Sequence, residues 1–174
     1  IEGKLVTPKG YEISWDASAA QKGGFAHFML KEIFEQPKAV ADTLLGRLSD
    51  NNQIVLDELH MSADEIRSLK KITVIACGTA YHAGMVAKYA IEKWAKIPVD
   101  VEIASEFRYR DPIIDPSTLI IAISQSGETM DTLMAVRHAK AAGGRVLAIC
   151  NTNSSTIPRE SDAVLYTHAG PEIA

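Results

Sequence analysis

The chain has 174 residues, 47% of them hydrophobic, a formal net charge of -4 and a pI near 5.7. That length buries one sizeable core and leaves room for an appended segment, while the acidic balance and the lack of a Lys/Arg block exclude an electrostatic footprint for nucleic acid or an anionic membrane. No apolar run approaches the ~18 residues that span a bilayer and no basic-then-apolar leader opens the sequence, so a cytoplasmic location is expected, with no membrane or nucleic-acid partner.

Residues 1–24 mix Gly, Pro and polar residues without periodicity and read as a linker, with short extended pieces at Leu5-Val6 and Tyr11 to Trp15. From Phe25 to Leu48 apolar residues recur at helical spacing, and Pro37 is expected to divide them into two helices, the second starting near it. Ser62-Ala63-Asp64-Glu65 has the form of a capping box and predicts a helix ending near Leu69. Strands then alternate with helices: strand Ile72 to Cys77, helix Ala80 to Lys96, strand Val99 to Ile103, a loop or short helix through Arg110, and strand Leu119 to Ser124. Helix Thr129 to Ala142, stopped by Gly143-Gly144, leads to strand Arg145 to Cys150, and a last strand runs from about Ala163 to Thr167. The alternation predicts a three-layer α/β/α sandwich around a five-stranded parallel sheet of flavodoxin-like type, with extra helices at the N-terminal side.

Ser124-Gln125-Ser126-Gly127-Glu128-Thr129 sits where an apolar strand gives way to a helix. A helix N-terminus has unpartnered N–H groups and a partial positive charge, so an anion placed there gains several hydrogen bonds at once. The hydroxyls of Ser124, Ser126 and Thr129 and the Gln125 amide add donors, and Gly127 permits a tight turn. The site so inferred contains no Lys or Arg, which suits a small monophosphate better than a Mg-bound nucleoside triphosphate. The same residues also serve as ordinary helix caps, with Glu128 complementing the dipole. A second loop of the same kind, Cys77-Gly78-Thr79-Ala80, weighs toward a ligand crevice at the carboxyl ends of parallel strands.

Cys77 and Cys150 both close strands that the fold separates by another strand, beyond disulfide reach, and read as small apolar residues; Cys77, facing the crevice, stays open to reaction. The five His residues lack paired metal spacing, His82 falling on an exposed or crevice-facing helix turn, so no metal and no cofactor is expected. Glu106-Phe107-Arg108-Tyr109-Arg110 interleaves aromatic and cationic groups and reads as a subunit or subdomain contact, and Met29, Met85, Met130 and Met134 as fillers of core or interface gaps.

The motifs VIACGTAYHAGMVAKY, VDVEIASEFRYRDP, AISQSGETMDTL and HAGPEI, in this order, resemble the isomerase portion of the glucosamine-6-phosphate synthase family, the isomerizing glutamine-fructose-6-phosphate transaminases. The segment AAQKGGFAHFMLKEIFEQP extends the resemblance, and the ISQSGET loop by itself marks the wider sugar-isomerase (SIS) superfamily. The resemblance implies that residues 25–174 form the first SIS subdomain, that residues 1–24 link it to a missing glutaminase domain, and that a second SIS subdomain and a homodimeric mate complete the enzyme. It also implies fructose 6-phosphate or glucosamine 6-phosphate as ligand, on the path to UDP-N-acetylglucosamine. Ser124, Gln125, Ser126 and Thr129 match phosphate-holding positions and Thr79 a sugar-contacting one, with Gly78 and Gly127 as backbone contributors. Ala80 stands where the family usually has Ser, and no catalytic residue is expected in this portion. The alternative is a stand-alone SIS-type module that senses a sugar phosphate without chemistry.

Overall fold

The computed structural model describes residues 21–174, so the linker expected over 1–24 and its extended pieces lie almost wholly outside the described residues. Five strands, β1 (Lys71–Ala76), β2 (Val99–Ile103), β3 (Thr118–Ser124), β4 (Arg145–Cys150) and β5 (Ala163–Tyr166), form one sheet in the order β2-β1-β3-β4-β5. Every pairing is parallel. Runs such as Leu119 to Ile123 are apolar at every position because a parallel sheet is covered on both faces.

On one face Ile75, Ile120, Ala122 and Val146 pack against α4 (Ala104–Tyr109), α5 (Met130–Ala141) and α6 (Thr156–Glu160). On the other, Val74, Leu119 and Leu147 meet α3 (Gly78–Ala95) and the segment around α2 (Ala63–Ser68), which supplies Met61 and Leu69. The three layers are those expected. Gly84 lets α3 sit close to the sheet, since a Cβ there would lie 2.8 Å from Val74 Cγ1. The capping box also forms: Ser62 Oγ accepts from the Glu65 N–H at 3.2 Å and the Glu65 carboxylate from the Ser62 N–H at 2.7 Å.

Other expectations need correcting. Pro37 does not divide the N-terminal segment; it lies inside one helix, α1 (Phe28–Leu44). Proline removes only the bond to the carbonyl one turn back, and on an exposed helix water can take that carbonyl while both flanks keep the ladder. Leu48, placed in the second helix, instead forms an isolated bridge with Ile54. Helix α6 and a 3-10 turn at Asp57–Leu59 carry too few residues to leave a periodic signal. Phe107, read as part of a contact surface, is 1% exposed against the α5 face, whereas its neighbour Tyr109 is 75% exposed. Of the two places expected for the methionines, the core does not hold Met29, Met85 or Met130, which are exposed on the single chain. Both cysteines are free, and burial pushes the Cys150 thiol up to about 11, so it stays protonated and inert.

The order β2-β1-β3 puts the point where strand order reverses between β1 and β3, which pair from Lys71↔Thr118 to Ala76↔Ile123. The loops leaving these two strands therefore stand side by side at the carboxyl end of the sheet, where such folds hold ligands. Replacing Phe107 by Ala is expected to lower unfolding free energy by about 3–5 kcal/mol through the cavity left between α4 and α5. Tyr109→Ala on the same short helix is expected to change it by less than ~0.5 kcal/mol. Urea titrations of both variants check the contrast.

Candidate functional site

β3 delivers Ser124 into the sheet edge at 3% exposure, and its hydroxyl is used to shape the loop. Ser124 Oγ accepts the Gly127 N–H at 3.1 Å and lies 3.2 Å from Thr129 Oγ1. When Ser124 donates in that pair, the Thr129 proton is free for a ligand. Ser126 is exposed and its Oγ accepts the Glu128 N–H at 3.2 Å. Thr129 is the N-cap of α5 but makes no side-chain capping bond, which leaves the first-turn N–H groups of a twelve-residue helix for an anion.

The loop is fastened from the far side by the loop after β4. The Gln125 carbonyl accepts the N–H groups of Asn151 at 3.1 Å and Thr152 at 3.2 Å, and the Gly127 carbonyl accepts that of Ile157 at 2.9 Å. Glu128 Oε1 accepts from Thr156 N at 2.7 Å and Thr156 Oγ1 at 3.0 Å, so this carboxylate caps α6 and is turned from the anion position. Gly127 has φ +65°, and a Cβ on it would stand 1.9 Å from Ser155 Oγ. Asn151 extends the fastening to the C-terminal segment, its Oδ1 accepting from Ala169 N at 2.9 Å and its Nδ2 donating to the Gly170 carbonyl at 2.7 Å.

The first loop faces the second. Cys77 is the N-cap of α3, again without a side-chain capping bond, and Gly78 follows at φ +55°. Thr79 is exposed and Ala80 half-buried on the opening turn. Thr132 Oγ1 of α5 donates to Cys77 Sγ at 3.7 Å and ties the two helix starts together. Arg108 of α4 reaches Asp131, in the first turn of α5, at 3.8 Å. Thr132, Asn151 and Ser155 were not singled out in the sequence, and Arg108 only as part of a contact surface, because each acts through a contact between segments distant in the chain.

An open cavity of about 440 Å³ lies beyond the ends of β4 and β5, lined among others by Arg47, Ser154, Arg159, Tyr166 and His168. It contains none of the residues inferred from the sequence. Its arginines hold the chain itself, Arg47 donating to the Tyr166 carbonyl at 2.7 Å and Arg159 to the Ser154 carbonyl.

The sequence model of the SIS domain matches residues 65–174. The chain belongs to the SIS domain family. This SIS domain is 66% identical, over 100% of its length, to the isomerizing glutamine–fructose-6-phosphate aminotransferase of Streptomyces coelicolor, of which it covers 28%. It is 66% identical over 94% of its length to the enzyme of the same name from Mycobacterium tuberculosis strain H37Rv, covering 26% of it. Among solved structures, the C-terminal domain of glucosamine-fructose-6-phosphate aminotransferase from Francisella tularensis superposes with TM-score 0.79 and 48% identity, over 88% of this chain and 42% of that one. The chain thus spans just over a quarter of the length of these curated relatives. The sugar isomerase domain of an RpiR transcription factor from Sphaerobacter thermophilus, 16% identical with TM-score 0.59 over 80% of this chain and 73% of that one, shows the shared fold alone. The family match leaves out α1. No helix among the described residues is long and apolar enough to cross a membrane.

Gly127→Ala is expected to destabilise the SIS domain by about 2 kcal/mol, since the added methyl meets both a positive φ and the Ser155 hydroxyl. The displaced loop should show as amide shifts at Asn151, Thr152 and Ile157 and as a lowered thermal midpoint.

Proposed function

We propose that this chain is the phosphate-holding SIS subdomain of an isomerizing glutamine-fructose-6-phosphate aminotransferase, whose substrate it grips by the phosphate. The supporting observation is the Ser124–Thr129 loop, set at the uncapped start of α5 with its acceptors turned toward α6. Backbone N–H groups, the hydroxyls of Ser126 and Thr129 and the Gln125 amide hold the phosphate, and Thr79 with the Gly78 backbone reaches the sugar. The position of Ala80 on the opening turn of α3 costs that grip one hydroxyl.

In this reading the open-chain fructose 6-phosphate condenses with ammonia at its C2 carbonyl, the carbonyl oxygen leaving as water, and a proton then moves from C1 to C2 as C1 becomes the aldehyde, giving glucosamine 6-phosphate for amino-sugar synthesis in the cytoplasm. The subdomain contributes position, which is worth rate through reduced translational and rotational freedom. Ammonia release and proton transfer belong to the glutaminase domain and second SIS subdomain of the longer relatives, and the assembled enzyme is a homodimer. The stand-alone sensor reading has only the shared fold of the RpiR domain in its support.

Titrating the chain with fructose 6-phosphate, glucosamine 6-phosphate and unphosphorylated fructose, read by backbone amide NMR, tests the proposal. Shifts centred on Ser124 to Thr129 are expected with both phosphates and not with fructose. Ser126→Ala should weaken binding about tenfold to a hundredfold, the worth of one hydrogen bond to a charged group at ~1.5–3 kcal/mol. Phosphate-independent shifts, or shifts centred elsewhere, would refute it.

A further inference from the structure

Five of the seven arginines, Arg67, Arg108, Arg110, Arg137 and Arg145, each face a carboxylate within 4.0 Å. The two that do not, Arg47 and Arg159, line one and the same groove beyond the ends of β4 and β5. In a chain of net charge -4, acidic groups are in excess, so two unneutralised guanidinium groups in one place are a local exception. Their partners are neutral. Arg47 donates to the Tyr166 carbonyl at 2.7 Å, and Arg159 to the Ser154 carbonyl and, at 3.0 Å, to Thr156 Oγ1. These bonds aim each guanidinium while leaving its charge and most of its N–H donors unused.

The groove adds the His168 ring and Ser154, whose Oγ is buried without a hydrogen-bond partner among the described residues. Glu58 also lines it but stands more than 4.0 Å from either guanidinium, so it does not cancel them. It can instead accept from a hydroxyl or amino group on the body of a ligand. At about 440 Å³ the groove falls within the ~300–1,000 Å³ of small-molecule sites. Guanidinium groups take phosphate oxygens through paired N–H donors, which makes two of them at one opening a phosphate-recognising arrangement. None of its lining belongs to the Ser124–Thr129 loop, which offers an anion neutral donors only.

We propose that the Arg47–Arg159 groove is a second anion site, separate from the Ser124–Thr129 cradle, which takes the phosphate group of a small phosphate monoester. The inference stands on the two arginines and does not depend on the sugar-phosphate reading of the cradle. Inorganic phosphate, adenosine 5′-monophosphate and ribose 5-phosphate are titrated into the 174-residue chain in about 0.15 M salt, where charges beyond ~8 Å are screened. Amide NMR should show shifts at Ser154, Arg159 and His168, and the side-chain Nε–H signals of Arg47 and Arg159 should move with them. Arg159→Gln and Arg47→Gln should each raise the dissociation constant about tenfold or more, as loss of a charged hydrogen bond does. Arg159→Lys should restore only part of the affinity, since an ammonium lacks the paired donors. Circular dichroism of each variant separates a lost site from a lost fold. Ser126→Ala, which weakens the cradle, should leave the groove shifts unchanged, so failure of one site is read apart from failure of the other. Tighter binding of the nucleotide than of ribose 5-phosphate assigns the groove to nucleotides, and equal binding assigns it to the phosphorylated sugar they share. Absence of groove shifts at millimolar phosphate overturns the proposal. So do groove shifts that survive both glutamine variants, or shifts confined to Ser124–Thr129.

Discussion

The crevice depends on one close approach, the backbone of Gly127 against the side chain of Ser155, at a distance where a single added carbon would stand 1.9 Å from the hydroxyl. Around it the β3–α5 loop is sorted by polarity. Its acceptors, the Gln125 and Gly127 carbonyls and the Glu128 carboxylate, are spent on the loop after β4, where they find the N–H groups of Asn151, Thr152, Ile157 and Thr156. What remains on the crevice side is a set of donors. An anion needs donors fixed in advance, and a loop whose acceptors are already satisfied does not have to reorganise to provide them.

That sorting is made possible by the sheet. Because β3 is bonded to both β1 and β4, the loop leaving it has a neighbour on each side: the α3 start across the Thr132 to Cys77 contact, and α6 across the Glu128 cap. The apolar runs that bury the strands on both faces hold those neighbours in register. Stability of the core and geometry of the crevice are therefore one property, although only the α4–α5–α6 face is packed with a large aromatic, Phe107.

Much of this was legible in the sequence, for local reasons. Strand β2 and strand β4 fall where their apolar runs predicted, and Ser62 with Glu65 makes both bonds of the capping box its spacing announced. The hexapeptide and the Cys77–Ala80 loop were visible because strand-to-helix switches change hydrophobic period within a few residues. What escaped notice was set by tertiary contacts. Pro37 reads locally as a breaker, yet one missing hydrogen bond does not end a helix that continues on both sides. Helix α6 has no hydrophobic period of its own and is fixed by the Glu128 cap and by burial of Ile157 at 0% exposure. Asn151 and Ser155 meet the loop, and Arg108 the first turn of α5, only because crossovers bring distant segments together.

The chemistry left to the cradle is correspondingly narrow. Glu128 is its one carboxylate and is occupied as a cap, accepting two hydrogen bonds from Thr156. Asp131 faces the Arg108 guanidinium, and the Cys150 thiol at the end of β4 is held protonated by burial. None of these groups is poised to trade a proton with a bound sugar. Under the proposed function, a reaction that moves hydrogen between neighbouring carbons thus needs its acid and base from outside this loop, the loop's part being to keep the phosphate end still. Under the proposed function, a phosphate held by neutral dipoles rather than by a bound cation is also released without separating an ion pair.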